Sequence, residues 1–162
     1  MNIVKYPNPI LVERMPDFQF DNPVVDPIQL EKDMLETMYQ FDGIGLAANQ
    51  VGIRARVFVI GHRDFPDSGM AFFNPEIISN TEEIKNLEEG CLSFPGIYVN
   101  IKRPTAIKAR WQNSKGEFQE GAFEGYDCKC FLHELDHLEG ITFKDRVSNL
   151  KWALGIKKSK RK

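Results

Sequence analysis

The chain has 162 residues, about one domain's worth, and is 42% hydrophobic and 27% charged, which is enough to bury one core and excludes a disordered chain. Its formal net charge is −2, from 21 Lys+Arg against 23 Asp+Glu. Six of those basic residues (Lys151, Lys157, Lys158, Lys160, Arg161, Lys162) fall in the last twelve positions with no acid, leaving −8 on residues 1–150; a uniformly basic nucleic-acid binder is excluded, and a basic end is left to explain.

Apolar runs are short, Val57–Ile60 being typical, so no segment has membrane-spanning length. Met1–Ile10 has no apolar core of an export signal. Cys91, Cys128 and Cys130 are odd in number and lack framework spacing, which points to free thiols and a cytoplasmic setting, or the host cytoplasm for a viral source. There is no repeat and no dividing linker. The expected organisation is one domain over residues 1–150 and a short basic tail over 151–162.

Pro7, Pro9, Pro16 and Pro23 give the first 25 residues an extended, loop-like reading. Asp26-Pro27 is a helix start, a capping side chain followed by proline in the first turn. Leu30, Met34, Leu35, Met38 and Phe41 then keep helical spacing until Asp42-Gly43 closes the helix. Strands are expected at Arg56–Ile60, Met70–Phe73, Glu76–Ser79, Ile97–Ile101, Thr105–Trp111 and Glu117–Phe123. Gly61, Asp67-Ser68-Gly69, Asn74-Pro75 and Asn113–Gly116 read as turns between them. A second helix runs from Tyr126 to Glu139, with Cys130, Phe131, Leu135 and Leu138 as its buried stripe and Gly140 as its stop. A third, short helix covers Val147–Ile156. Helix, antiparallel strands, helix is an α+β order, with sheets packed around the second helix.

That second helix carries His133-Glu134-Leu135-Asp136-His137. Histidines at i and i+4 share one helical face about 6 Å apart, the separation two ligands of one metal need, with Glu134 beside the place of a bound water. The competing reading is a helix with two surface histidines. A catalytic ion needs a third ligand and an open position. A histidine ten residues past His133 is absent, the position being Phe143, and no acid follows Asp145, itself an awkward eight residues past His137. His62 stands alone in a turn-rich stretch and reads as solvated. Cys91 is a candidate, since a thiolate with two imidazoles suits zinc or ferrous iron; alone it is only a free thiol. Cys128 and Cys130 sit just before His133 and read as small core residues. In Gly43-Ile44-Gly45-Leu46-Ala47-Ala48-Asn49-Gln50 the alternating glycines suit close approach by another backbone, and Gln50 is a neutral donor of the kind that holds an oxyanion.

Gly43–Gln50, Glu89-Gly90-Cys91-Leu92-Ser93 and His133–His137, in that order, together with the opening Tyr6–Leu11, resemble the peptide deformylase family over about residues 6–145. The resemblance implies a divalent metal held by Cys91, His133 and His137, with Fe²⁺ used in the cell and Zn²⁺ or Ni²⁺ able to occupy the site. It implies Glu134 as the acid/base residue and Gln50 with the Leu92 backbone N–H as oxyanion donors. Metal-bound hydroxide would remove the formyl group of N-formylmethionyl nascent peptides and release formate. The peptide would lie extended near Ile44-Gly45 and after Ser93, with Ile44, Tyr126 and Cys130 around the methionine side chain. A monomer that meets no membrane is expected, with Lys151–Lys162 either contacting the ribosome or lying solvated. Leu132 departs from the glutamine frequent before the first histidine, and the end of the chain is shorter than in many members. Two other readings remain at this point: a metallopeptidase using Asp145 as third ligand, and an inactive relative that binds nascent chains or ribosomal RNA.

Overall fold

The computed structural model describes residues 1–161. The first helix, α1, spans Pro27–Gln40, and the Asp26 carboxylate accepts the N–H groups of Ile28 and Gln29 at 2.9 and 3.1 Å, satisfying two amides that have no partner within the helix. It buries Leu30, Met34, Thr37 and Met38. Phe41, expected on that stripe, lies beyond the last turn and is exposed.

Five strands form the main antiparallel sheet in the order β1-β2-β3-β6-β7: β1 Gly45–Ala47, β2 Val57–His62, β3 Phe65–Asn80, β6 Ala106–Gln112 and β7 Phe118–Glu124. Successive side chains point to opposite faces, and both faces are covered. Val57, Val59, Ala71 and Phe73 join Leu30, Met34 and Met38 in one cluster, while Phe58 and Phe72 join Phe131 in another. Phe131 belongs to helix α2, Gly125–Leu138. The sheet is thus held between α1 and α2, giving the α+β architecture. The near-continuous apolar run at Val57–Ile60 follows from that two-sided burial.

A second sheet is a hairpin of β4 Ile84–Cys91 and β5 Phe94–Pro104, with Leu92 and Ser93 between the paired Cys91 and Phe94. Phe94, Val99 and Ile101 pack with Phe143, and Trp152 reaches the same cluster from α3, Asn149–Ser159. The 150/151 division therefore falls inside a docked helix. Its buried Gly155 sits so near Val99 that a Cβ would lie 2.9 Å from Cγ1.

Two expected strands and three expected turns change. Met70–Phe73 and Glu76–Ser79 belong to one strand, because Asn74 adopts φ +50° and the chain passes Pro75 through a register shift instead of turning. The Asn74 side chain holds that kink, accepting Phe18 N–H at 2.7 Å and donating to Phe18 O at 3.0 Å. Gly61 and Asp67–Gly69 lie within strands, the β2–β3 turn being at Arg63-Asp64. Strand β4 had no sequence expectation.

Candidate metal centre and peptide cleft

Helix α2 begins without a side-chain cap and carries His133, Glu134, Asp136 and His137 to buried positions. Opposite them, the hairpin turn presents Cys91 at the end of β4. One ligand atom from each of Cys91, His133 and His137 lies within 4.8 Å of the others, and Cys91 Sγ is 3.3 Å from His137 Nε2. His133 Nδ1 is bonded to Glu89 Oε1 at 2.8 Å, leaving Nε2 as its nitrogen for an ion. A thiolate and two imidazoles so placed fit a divalent metal with room for a further ligand. Burial, and then the neighbouring His133, push His137 well below the usual histidine range, so its ring is neutral and has a lone pair to offer. Burial also opposes charge on His133, but its bonds with Cys91 and Glu89 outweigh that and raise it well above the usual range.

Glu134 is 4% exposed, and its Oε2 has no hydrogen-bond partner among the described residues. Burial pushes its carboxyl up to about 7, against the lowering pull of His133. Such a group can take up and return a proton near neutral pH. Gln50 is locked by Ala47 N–H, which donates to its Oε1 at 2.9 Å, so that Nε2 points to Ser93 Oγ at 3.0 Å and to Cys91 Sγ at 3.5 Å. The amino-terminal strap ties both pieces together: Val4 N–H donates to Gln50 O and Tyr6 N–H to Ser93 O, at 2.7 and 3.1 Å.

A cleft of about 710 Å³ opens over these groups, lined by Ile44, Gly45, Gln50, Cys91, Leu92 and Glu134 among others. Tyr126 and Cys130 also line it, as does His133, while His137 is buried behind them. Of the residues the family resemblance implies, all except His137 therefore line one cavity. Among the described residues, strand β1 pairs only with β2, and β4 only with β5; Gly43–Gly45 and Glu88–Gly90 lie along the cleft. Ser93 turns inward, donating to Val4 O at 2.7 Å, and the chain after it lines the cleft at Pro95, Gly96 and Tyr98.

The other candidates separate cleanly. Asp145 Oδ2 accepts Thr142 N–H at 2.9 Å and caps a short 3-10 turn, so it is not a third ligand. His62 is exposed. Cys128 is buried against Pro104 O, and burial together with the Glu134 charge pushes the Cys130 thiol up to about 12. Sequence reasoning attached no role to Glu89, Arg103 or Asp136. Arg103 clamps Glu89 with two bonds, Nε to Oε2 at 2.5 Å and Nη2 to Oε1 at 2.9 Å, and reaches Asp136 at 3.0 Å. A carboxylate that takes the ligand histidine's second nitrogen fixes the ring's orientation. The signal available was Glu89's place two residues before Cys91, which puts both on the strand that faces α2.

The sequence profile of the polypeptide deformylase family matches residues 1–153. A peptide deformylase of Thermotoga petrophila is 46% identical over 152 residues, covering 93% of this chain and 89% of the relative. The crystal structure of the Thermotoga maritima peptide deformylase superposes with a TM-score of 0.84 at 41% identity, covering 91% of this chain and 97% of that one. A Legionella pneumophila peptide deformylase gives 0.90 at 32% identity, covering 99% and 93%. With the ligand triad and the cleft in place, these likenesses show that the chain is an enzyme of the polypeptide deformylase family.

Proposed function

We propose that the enzyme removes the formyl group from peptides beginning with N-formylmethionine and releases formate. The observation that carries the reading is the meeting of Cys91, His133 and His137 within 4.8 Å beside Glu134 in the cleft. Cys91, His133 and His137 would hold a divalent ion, Fe²⁺ in the cell with Zn²⁺ or Ni²⁺ as substitutes, which would supply Lewis-acid activation of water near neutral pH. Glu134 accepts the proton of the attacking water and hands it to the leaving nitrogen, which departs as a free amino terminus. Gln50 Nε2 and the Leu92 N–H stabilise the oxygen that gains charge as the formyl carbon is attacked.

The peptide binds extended, its backbone against Ile44 and Gly45 on one side and the chain after Ser93 on the other, where Pro95, Gly96 and Tyr98 line the cleft. Ile44, Tyr126 and Cys130 receive the methionine side chain. One chain supplies every group involved, so the enzyme acts as a monomer. Its setting is the cytoplasm, where formylated chains emerge; no helix among the described residues is long and apolar enough to cross a membrane. Leu150 and Leu154 of α3 are exposed, as are Lys157, Lys158, Lys160 and Arg161. That apolar and basic face makes a salt-sensitive contact with ribosomal phosphate.

The test is formate release from a formyl-Met peptide by Fe²⁺-loaded enzyme under anaerobic conditions. Release is expected, and no formate with Fe²⁺, Zn²⁺ or Ni²⁺ contradicts the reading. Charge reversal of Lys157, Lys158 and Lys160 leaves that turnover intact and weakens ribosome co-sedimentation at low salt; unchanged co-sedimentation removes the ribosomal contact.

A further inference from the structure

Behind His133 the charged groups form a chain whose last member has no role in the scheme above. His133 is held by Glu89, and Glu89 by two N–H groups of Arg103. Arg103 Nη1 donates to Asp136 Oδ2 at 3.0 Å. Asp136 is in turn gripped by Arg146, through Nε to Oδ2 at 3.0 Å and Nη2 to Oδ1 at 2.7 Å. Glu89, Arg103 and Asp136 are all buried, at 3, 5 and 8% exposure. Two buried carboxylates are thus opposed by two guanidinium groups, one of them reached from the turn that follows α2.

The charge balance depends on the outer arginine. Without it, Arg103 alone faces both carboxylates in a poorly solvated site, where an unpaired buried charge is costly. Any drift of Arg103 toward Asp136 loosens its two bonds to Glu89, and Glu89 is what fixes the His133 ring. We propose that Arg146 is a positioning residue for the metal centre: by neutralising Asp136 it keeps Arg103 on Glu89 and His133 Nε2 turned toward the ion. This rests on the metal centre proposed above. The Arg146 side chain is 43% exposed, so its replacement opens no core cavity. The two capping bonds of its own turn run between Thr142 and Asp145 and do not use it.

The experiment follows Zn²⁺ release from the full-length, zinc-loaded protein to a chromogenic chelator, alongside thermal melting of the zinc-free protein. Wild type should hold one equivalent and Cys91→Ala none. Arg146→Met should release zinc several-fold faster, up to about the tenfold that marks the lower end for losing a direct partner of a metal ligand. Arg146→Lys should fall between, since it keeps the charge but not the fork. Arg54→Met breaks an exposed ion pair with Glu13 and should release zinc at the wild-type rate. Wild-type release from Arg146→Met, or equal acceleration in Arg54→Met, would overturn the assignment and leave an ordinary ion pair. A wild-type protein that holds no zinc would instead remove the metal centre, and this role with it.

Discussion

Glu134 Oε1 lies so close to the backbone of Gly45 that a Cβ at that position would sit 2.6 Å from it. Strand β1 and helix α2 are therefore in contact at the one carboxylate assigned to proton transfer, and the glycine is what allows the contact. Gly45→Ala should push the Glu134 carboxylate aside by a fraction of its length. Misplacement on that scale costs about 10²-fold in rate. Formate release should fall by that order while zinc content stays at wild type; unchanged turnover would mean the carboxylate's position is not critical.

Gln50 should matter less than a ligand does. Its Nε2 is aimed at Cys91 and Ser93 by the Ala47 bond, and removal of one oxyanion donor typically costs about 10²–10³ in kcat. Gln50→Ala should retain zinc and lose kcat over that range, with a smaller change in KM. A change in KM alone would assign Gln50 to peptide binding.

Stability should depend on acid through Glu89. Burial alone would raise its carboxyl, but the hydrogen bonds from Arg103 and then His133 outweigh burial and hold it at about 2. A folded-state value below the ordinary 4.5 means the unfolded chain binds the proton more readily. The contribution is present above pH 4.5 and is lost as pH falls toward 2. Denaturant titrations in chelator, so that metal release adds nothing, should show this decline, and Glu89→Gln should flatten it. An unaltered profile in Glu89→Gln would place the acid sensitivity elsewhere.

The two helix thiols should be quiet. Cys130 lines the cleft, but burial, reinforced by Glu134, pushes it up to about 12, and burial raises Cys128 as well. Thiolate is the reactive form, so iodoacetamide at pH 8 should leave both unmodified in native protein over times that label a small-molecule thiol. Cys128→Ala should keep metal and turnover. Rapid native labelling of Cys130 would contradict its surroundings.

The sequence was most legible where one local pattern decides the outcome. Asp26-Pro27 set the start of α1, and the i, i+4 histidines set the metal-bearing face of α2, because both are consequences of helix geometry alone. Strand β4 was not legible: its Lys85, Glu88 and Glu89 break strand patterning, and only Glu89 and Cys91 among its charged or thiol side chains face inward. The kink at Asn74-Pro75 looked like a turn because its support comes from Phe18, 56 residues away. Likewise Glu89, Arg103 and Asp136 each look like an ordinary surface charge along the chain. Only the approach of the hairpin to α2 turns them into one buried network. Spacing singled out the two histidines, the resemblance added Cys91, and tertiary contact revealed the charged groups behind them.

The central claim is that Cys91, His133 and His137 bind the ion while Glu134 moves the proton. Metal content and formate release measured on the same samples of wild type and Glu134→Ala test it most directly. The account predicts full metal occupancy in both proteins, with turnover in Glu134→Ala reduced by at least about 10²-fold. Turnover near wild type in a metal-loaded Glu134→Ala enzyme would contradict it.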